Sequence, residues 1–400
     1  MSGVKAVTRS EFVPAAPVGT FPASDSGDGP RRLQRMGAVT VGVSLPRVWV
    51  GENGLTPGST VHFTRLPDGS LILRHQPRGS VAERFVTSVS PRAAPEHLFR
   101  QLVAAYLGGA TEFTVLEEPE LSPQTRSITR AFIRRTIQPE VASESEDRLT
   151  LKDVSLGVGF SARQLLPRMY QIVVELQTDG GLSWGTTRPT NPASLASRDD
   201  DVDRHAWLIE RVIGLQLTAT QGSGPDHLPA PELLELLLVT RALERIADHA
   251  VTMGDYGAQL AGASLPARVT QALTSYHRQA LEHLAESFRV MQHPEVAAAN
   301  EVLDAGEALR ATHSTLTEAL LVRGTLGTLA PMTAVSIGLI LQSIDRTTAY
   351  AQDIAQVGLD RAAKSCIDRD NRLPGVRFGR DHGSTIVDSG GKTKNERKPR

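Results

Sequence analysis

Residues 240–253 read TRALERIADHAVTM, and this stretch decides the architecture. Leu243, Ile246, Ala247 and Ala250 recur at the intervals of one helical face, while Glu244 and Asp248 fall four apart on another. Upstream, RDDDVDRHAWLIERV at 198–212 places Asp199 and Asp203 at the same spacing. Downstream, ANEVLDAGEAL at 299–309 carries Asn300 and Asp304, and LQSIDRTTAYAQDI at 341–354 carries Asp345 and Ala349. Each of these four positions lies 101 residues after its counterpart in the first set. A common offset over two separate segments marks a tandem repeat, complete in its first copy and eroded in its second.

Working outward, the chain is helical almost throughout from about residue 161. The apolar period predicts three helices in ARQLLPRMYQIVVELQ, DDVDRHAWLIERVIGLQL and the long segment beginning at Pro229. A second trio follows in the segments beginning at Ala267, Pro294 and Thr333. Pro229, Pro231, Pro266, Pro294 and Pro331 fall near helix starts, where proline is tolerated. The expectation is two three-helix repeats, residues 161–262 and 263–360.

Residues 77–160 read as a small α+β connecting module. PEHLFRQLVAAYLGG is a helix stopped by glycine, ATEFTVLEE a strand, SITRAFIRRTI a basic amphipathic helix and DRLTLKDV a strand. Arg130, Arg134 and Arg135 on that basic helix are expected to face solvent or to pair within the chain. Residues 33–76 are dense in strand signals. AVTVGVS alternates, LPRVWVGENG makes a helical turn closing on Gly54, and TVHFTRL and SLILRH flank the hairpin signal Pro67-Asp68-Gly69. So short a segment buries no core alone, so a dimer partner is expected. Residues 1–32 and 361–400 read as disordered, the latter a basic tail closing on KTKNERKPR.

Acids and bases nearly cancel, 44 against 43, so no global field points to nucleic acid or membrane. Residues 30–80 differ, with seven arginines against two acids, a net +5 that suits a polyanion. The single cysteine, Cys366, excludes an internal disulfide framework and a cysteine-based zinc cluster. No signal-type segment and no run of about 18 apolar residues occurs, which predicts a cytoplasmic protein without direct membrane insertion. No Gly-rich phosphate loop, nucleophile motif or HExxH occurs, so an enzyme is not expected.

Acids four apart on a helix repel, and four carboxylates brought together by adjacent helices are costly to desolvate unless a cation compensates. Asp199, Asp203, Glu244 and Asp248 are therefore candidate ligands of a hard or borderline metal, with Asp304 and Asp345 as a weaker second set. Taken singly they have plainer readings. Asp199 to Asp201, just after Ser197, suit a helix start, and Glu244 has Arg241 and Arg245 as neighbours with which to pair.

LERIADHA, with DxxVD on the preceding helix and the repeat, resembles the PhoU family of phosphate uptake regulators over roughly residues 160–360. That resemblance implies two three-helix repeats and (E/D)xxxD motifs holding multinuclear clusters of a divalent or trivalent metal, iron or zinc. Asp199, Asp203, Glu244 and Asp248 match the motif, whereas Asn300 and Ala349 depart from it. RRLQRMGAVTVGVSLPRVWV and GLTPGSTVHFTRLPDGSLILR resemble the AbrB/SpoVT class, whose hairpins swap between two chains to form a small DNA-binding β-barrel. That likeness nominates Arg32, Arg35 and Arg47 for DNA, and the fusion is similar to archaeal regulators. The implied function is a dimeric DNA-binding regulator of phosphate transport with a metal-binding helical sensor. The alternative is an adaptor that docks on a phosphate transporter ATPase or sensor kinase and uses the barrel only to form a homodimer.

Overall fold

The computed structural model describes residues 30–36, 40–65, 71–75, 84–89, 94–154, 160–182, 184, 191–218, 228–260, 263, 265–322 and 329–371. The chain divides into two units, Met1–Val81 and Ala82–Arg400.

In the first unit, β1 (Gln34–Arg35) pairs antiparallel with β2 (Val41–Gly42), and α1 (Arg47–Glu52) is the short helical turn expected before Gly54. β3 (His62–Arg65) and β4 (Leu71–Arg74) form the expected hairpin, with His62 opposite Arg74 and Arg65 opposite Leu71. Its turn residues Pro67, Asp68 and Gly69 lie outside the described residues. No described residue of this unit is buried, and Phe63, Leu71, Met36 and Val41 expose most of their apolar surface. The two ladders remain separate two-stranded sheets. The described residues of a single chain therefore do not close the expected barrel.

The second unit opens with a four-stranded sheet in the order β5-β6-β8-β7. β5 (Arg84–Ser88) runs parallel to β6 (Glu112–Leu116) through the crossover helix α2 (Pro95–Leu107). α3 (Pro123–Arg135) then leads to the hairpin of β7 (Pro139–Glu144) and β8 (Arg148–Asp153). Neither β5 nor β7 follows from the apolar pattern alone. Leu102, Tyr106, Phe113, Phe132 and Leu151 form the module's core.

Six helices follow, as the repeat requires: α4 (Ala162–Gly181), α5 (Pro192–Thr218), α6 (Ala230–Gln259), α7 (Ala267–Gln292), α8 (Val296–Thr317) and α9 (Pro331–Asn371). Ser161 caps α4 by accepting the Gln164 N–H. α6 packs against α4 and α5, α9 packs against α7 and α8, and α6 meets α9 between the repeats. There the 101-residue offset becomes visible in space. Arg245 of α6 lies over the Tyr350 ring at 5.5 Å, and Tyr350 stacks with His249, its own counterpart one repeat earlier. Gly180 allows α4 to approach α6 closely, since a Cβ there would stand 2.6 Å from the Ala250 carbonyl oxygen.

Two boundaries differ from expectation. α5 begins at Pro192, where Asn191 Oδ1 accepts the Ala193 N–H at 3.0 Å, so Asp199 to Asp201 lie two turns inside the helix and Ser197 caps nothing. α9 continues to Asn371, so the segment from 361 to 371 is helix and not disordered tail. Its extension is held by Glu235 of α6, which accepts from both Arg361 Nε at 2.8 Å and Lys364 Nζ at 2.5 Å. Residues 1–29 and 372–400 lie outside the described residues.

The module is fastened to the first repeat by Arg211 of α5, which is 2% exposed. Its guanidinium donates to the carbonyl oxygens of Tyr106 and Ala110, pairs with Asp153 at 3.2 Å and lies 4.7 Å from the Tyr106 ring centroid. Removing one partner of a buried charge leaves the others unsatisfied. Arg211→Met is expected to lower the stability of the second unit by about 3 kcal/mol in denaturant unfolding, more than an exposed Arg→Met change.

Candidate functional site

The four acids of the first copy lie on α5 and α6, which pack side by side. Asp199 and Asp203 are half-buried on α5, Glu244 is half-buried on α6, and Asp248 stands on the exposed flank of that helix. They act on one another as a single electrostatic patch. Burial, reinforced by Asp203, Asp248, Asp200 and Glu244, pushes the Asp199 carboxyl up to about 7. Burial also raises Asp203, against the lowering effect of Arg135, and raises Glu244 with help from Asp248 and Asp203. Asp248 is raised by burial, opposed by Arg245. Four carboxylates shifted the same way form a site short of positive charge.

One cation is already present. Arg135, at the end of α3, donates from Nη2 to Asp203 Oδ2 at 2.7 Å and lies 2.7 Å from Asp200 Oδ1. Its guanidinium also faces the Phe99 and Trp207 rings at 5.7 and 5.6 Å. Arg135 thus pairs within the chain, one of the two fates expected for it. Arg241 binds Glu210 at 2.8 Å, and Arg245 lies over Tyr350, so neither forms the ion pair with Glu244 that the plainer reading expects, although the charge of Arg241 still lowers that carboxyl. Among the described residues, Asp199, Glu244 and Asp248 form no ion pair.

The donor set, all carboxylate oxygen and partly desolvated, suits a hard cation. The spacing does not preassemble a centre, because among the described residues no group of three or more His, Cys, Asp or Glu side chains is placed to hold a metal ion. The second copy is weaker still. Asp304 is exposed, Asp345 pairs with Arg310 at 3.5 Å, and Asn300 Nδ2 donates to the Val296 carbonyl of its own helix at 2.9 Å. In the N-terminal unit Arg32, Arg35 and Arg47 are all exposed.

Residues 187–256 match the PhoU domain family. The matched span includes both acid-bearing helix faces and ends three residues short of the end of α6. The match thus falls on α5 and α6, the two helices that carry the complete set of acids. The chain is also similar to the crystal structure of PhoU from Pseudomonas aeruginosa, at 18% identity over 50% of this chain and 95% of that one, TM-score 0.46. The phosphate transport system regulatory protein PhoU from Streptococcus pneumoniae is similar at 15% identity over 50% of this chain and 91% of that one, TM-score 0.41. None of the curated proteins matches the chain.

A carboxyl whose folded value lies above its unfolded value takes up protons on folding, so its contribution falls as pH rises through the interval, here about 4 to 7 for Asp199. In chelator-treated protein, Asp199→Asn is therefore expected to raise the thermal midpoint at about pH 7.5 by a few degrees, with a smaller gain at about pH 5. An equal or larger gain at the lower pH would contradict the coupled patch. Differential scanning fluorimetry across pH reads this directly.

Proposed function

We propose that the chain is a regulator of phosphate transport, with a helical unit that carries the regulatory signal and an N-terminal unit that binds DNA as a homodimer. The observation that carries this reading is the PhoU domain match, which falls on the one repeat that keeps all four acids. No catalytic role is assigned, and regulation is exerted through contacts with other macromolecules. Among the described residues no helix is long and apolar enough to cross a membrane, so membrane-embedded transport machinery is reached by docking.

The N-terminal unit supports the dimer and DNA parts of the proposal. It buries none of its described residues while exposing Phe63, Leu71 and Val41, a composition that calls for a second copy. Arg32, Arg35 and Arg47 stand exposed for phosphate contacts, whose affinity falls with salt. The metal that the family likeness implies, iron or zinc, would be held by Asp199, Asp203, Glu244 and Asp248, of which only Asp203 is ion-paired with Arg135.

Two measurements test the reading. In cells lacking the gene, phosphate uptake is expected to lose its dependence on external phosphate, and uptake that still responds normally would contradict the regulatory assignment. In mobility-shift assays on DNA upstream of phosphate transporter genes, the protein is expected to bind at low salt, and Arg32, Arg35 and Arg47 changed together to alanine are expected to abolish the shift. Regulation that persists in this triple variant favours the adaptor that docks on a transporter ATPase or sensor kinase. Metal content of purified protein, compared with Glu244→Ala/Asp248→Ala, decides the metal part, since equal content in both removes those residues as ligands.

A further inference from the structure

The repeat makes the outer face of α5 in the first copy comparable, position by position, with that of α8 in the second. On α5 this face is covered from within the chain. Asp200 and Asp203 receive Arg135, Trp207 packs against Phe99 with ring centroids 6.2 Å apart, and Arg211 is buried against the module. The positions 101 residues later are Glu301, Asp304, Ala308 and Thr312. Glu301, Asp304 and Ala308 are exposed, and among the described residues Glu301 and Asp304 form no ion pair. The face that the module closes on the first repeat stands open on the second.

That open face is a groove and not a flat surface. A trough of about 500 Å³ runs between α7 and α8, with Val302, Ala305, Ala308 and Leu309 along one side and Glu301 on its rim. Its lining extends from Gln279 to Arg289 on α7 and from Ala298 to Thr312 on α8, roughly 15 and 20 Å, the length of three to four helical turns. His283 also lines it, 6% exposed, with Nε2 buried and without a hydrogen-bond partner. The imidazole fits there because residue 306 is glycine, since a Cβ at that position would stand 2.8 Å from His283 Nε2. On the α7 rim, Glu282 and Glu286 pair with Arg278 and Arg289 of their own helix, which leaves Glu301 and Asp304 as the uncompensated charges.

We propose that the α7–α8 groove is the docking site for a basic amphipathic helix of a partner protein. The first repeat specifies the chemistry of the occupant. There the covering helices present an arginine to Asp200 and Asp203 and a phenylalanine to Trp207. An incoming helix would place an arginine or lysine on Glu301 and Asp304 and an aromatic or large apolar side chain over Ala305 and Ala308. Alanine at 308, where the first repeat has tryptophan, leaves the space for that side chain. The inference rests on the repeat and the groove, and it stands apart from the phosphate-transport assignment.

The test uses the full-length protein and a labelled synthetic peptide with the sequence of residues 122–137, SPQTRSITRAFIRRTI, the covering helix that supplies Arg135. Fluorescence anisotropy is expected to show saturable binding in the micromolar range, weakened roughly tenfold or more by Glu301→Arg and by Ala308→Trp. Both substitutions fall at exposed positions, and circular dichroism melts unchanged from wild type show that the variants fold. A photo-crosslinker at the position of Ala131, one turn before Arg135 on the same face of the helix, is expected to label α7 or α8. No saturable binding up to about 1 mM, binding that survives both substitutions, or labelling confined to the first repeat would overturn the proposal. Peptide-free self-association that Glu301→Arg abolishes would overturn it in favour of a second copy of this chain.

Discussion

A guanidinium removed from water must be met by acceptors, as that of Arg211 is, and together with the partly exposed Arg135 it holds the second unit together. Arg211 leaves α5 and ends among the carbonyl oxygens and the carboxylate of the α+β module. Arg135 leaves α3 of the module and ends between Asp200 and Asp203 of α5. The two contacts run in opposite directions across one interface, with Trp207 and Phe99 packed between them. This exchange of charges sets where the module sits. It also decides how much of the acidic patch is already neutralised.

From that constraint the asymmetry of the repeats follows. The first repeat has a covered outer face and a carboxylate patch with one resident cation. The second has an open outer face, Asp345 paired off by Arg310, an exposed Asp304, and asparagine and alanine at the other two motif positions. Apart from the pairing of Asp200 and Asp203 with Arg135, burial and mutual repulsion favour the neutral forms of the acids in the first copy. Groups kept in an unfavourable arrangement are commonly functional, as are grooves. The duplicated unit therefore offers two differently specialised surfaces, one electrostatic and one shaped for a helix.

Much of this was legible in the chain. The six helices, the offset, the glycine stop after α2 and the hairpin of β3 and β4 all follow from local pattern and turn chemistry. The start of α5 was legible too, since Asn191-Pro192 is a cap followed by proline, but the row of acids after Ser197 offered a competing start. β5 and β7 were not legible. Each is a short edge strand that exists because β6 and β8 provide backbone partners, a tertiary effect that no local period reveals. The side-by-side packing of the two acid-bearing helices follows from their apolar faces, whereas the cation that pairs with Asp203 does not follow from any local pattern. Arg135 is 68 residues from Asp203 in sequence, and only packing of α3 on α5 brings them together.

The most direct test of the asymmetry is carboxyl footprinting of the intact protein, with glycine amide coupled by a carbodiimide and each site read by mass spectrometry. Glu301 and Asp304 should react rapidly, while Asp203, 19% exposed and paired with Arg135, should react several-fold more slowly under the same conditions. Equal rates at the two sites would show that the outer faces of the repeats are alike, and the account built on one closed and one open face would fail.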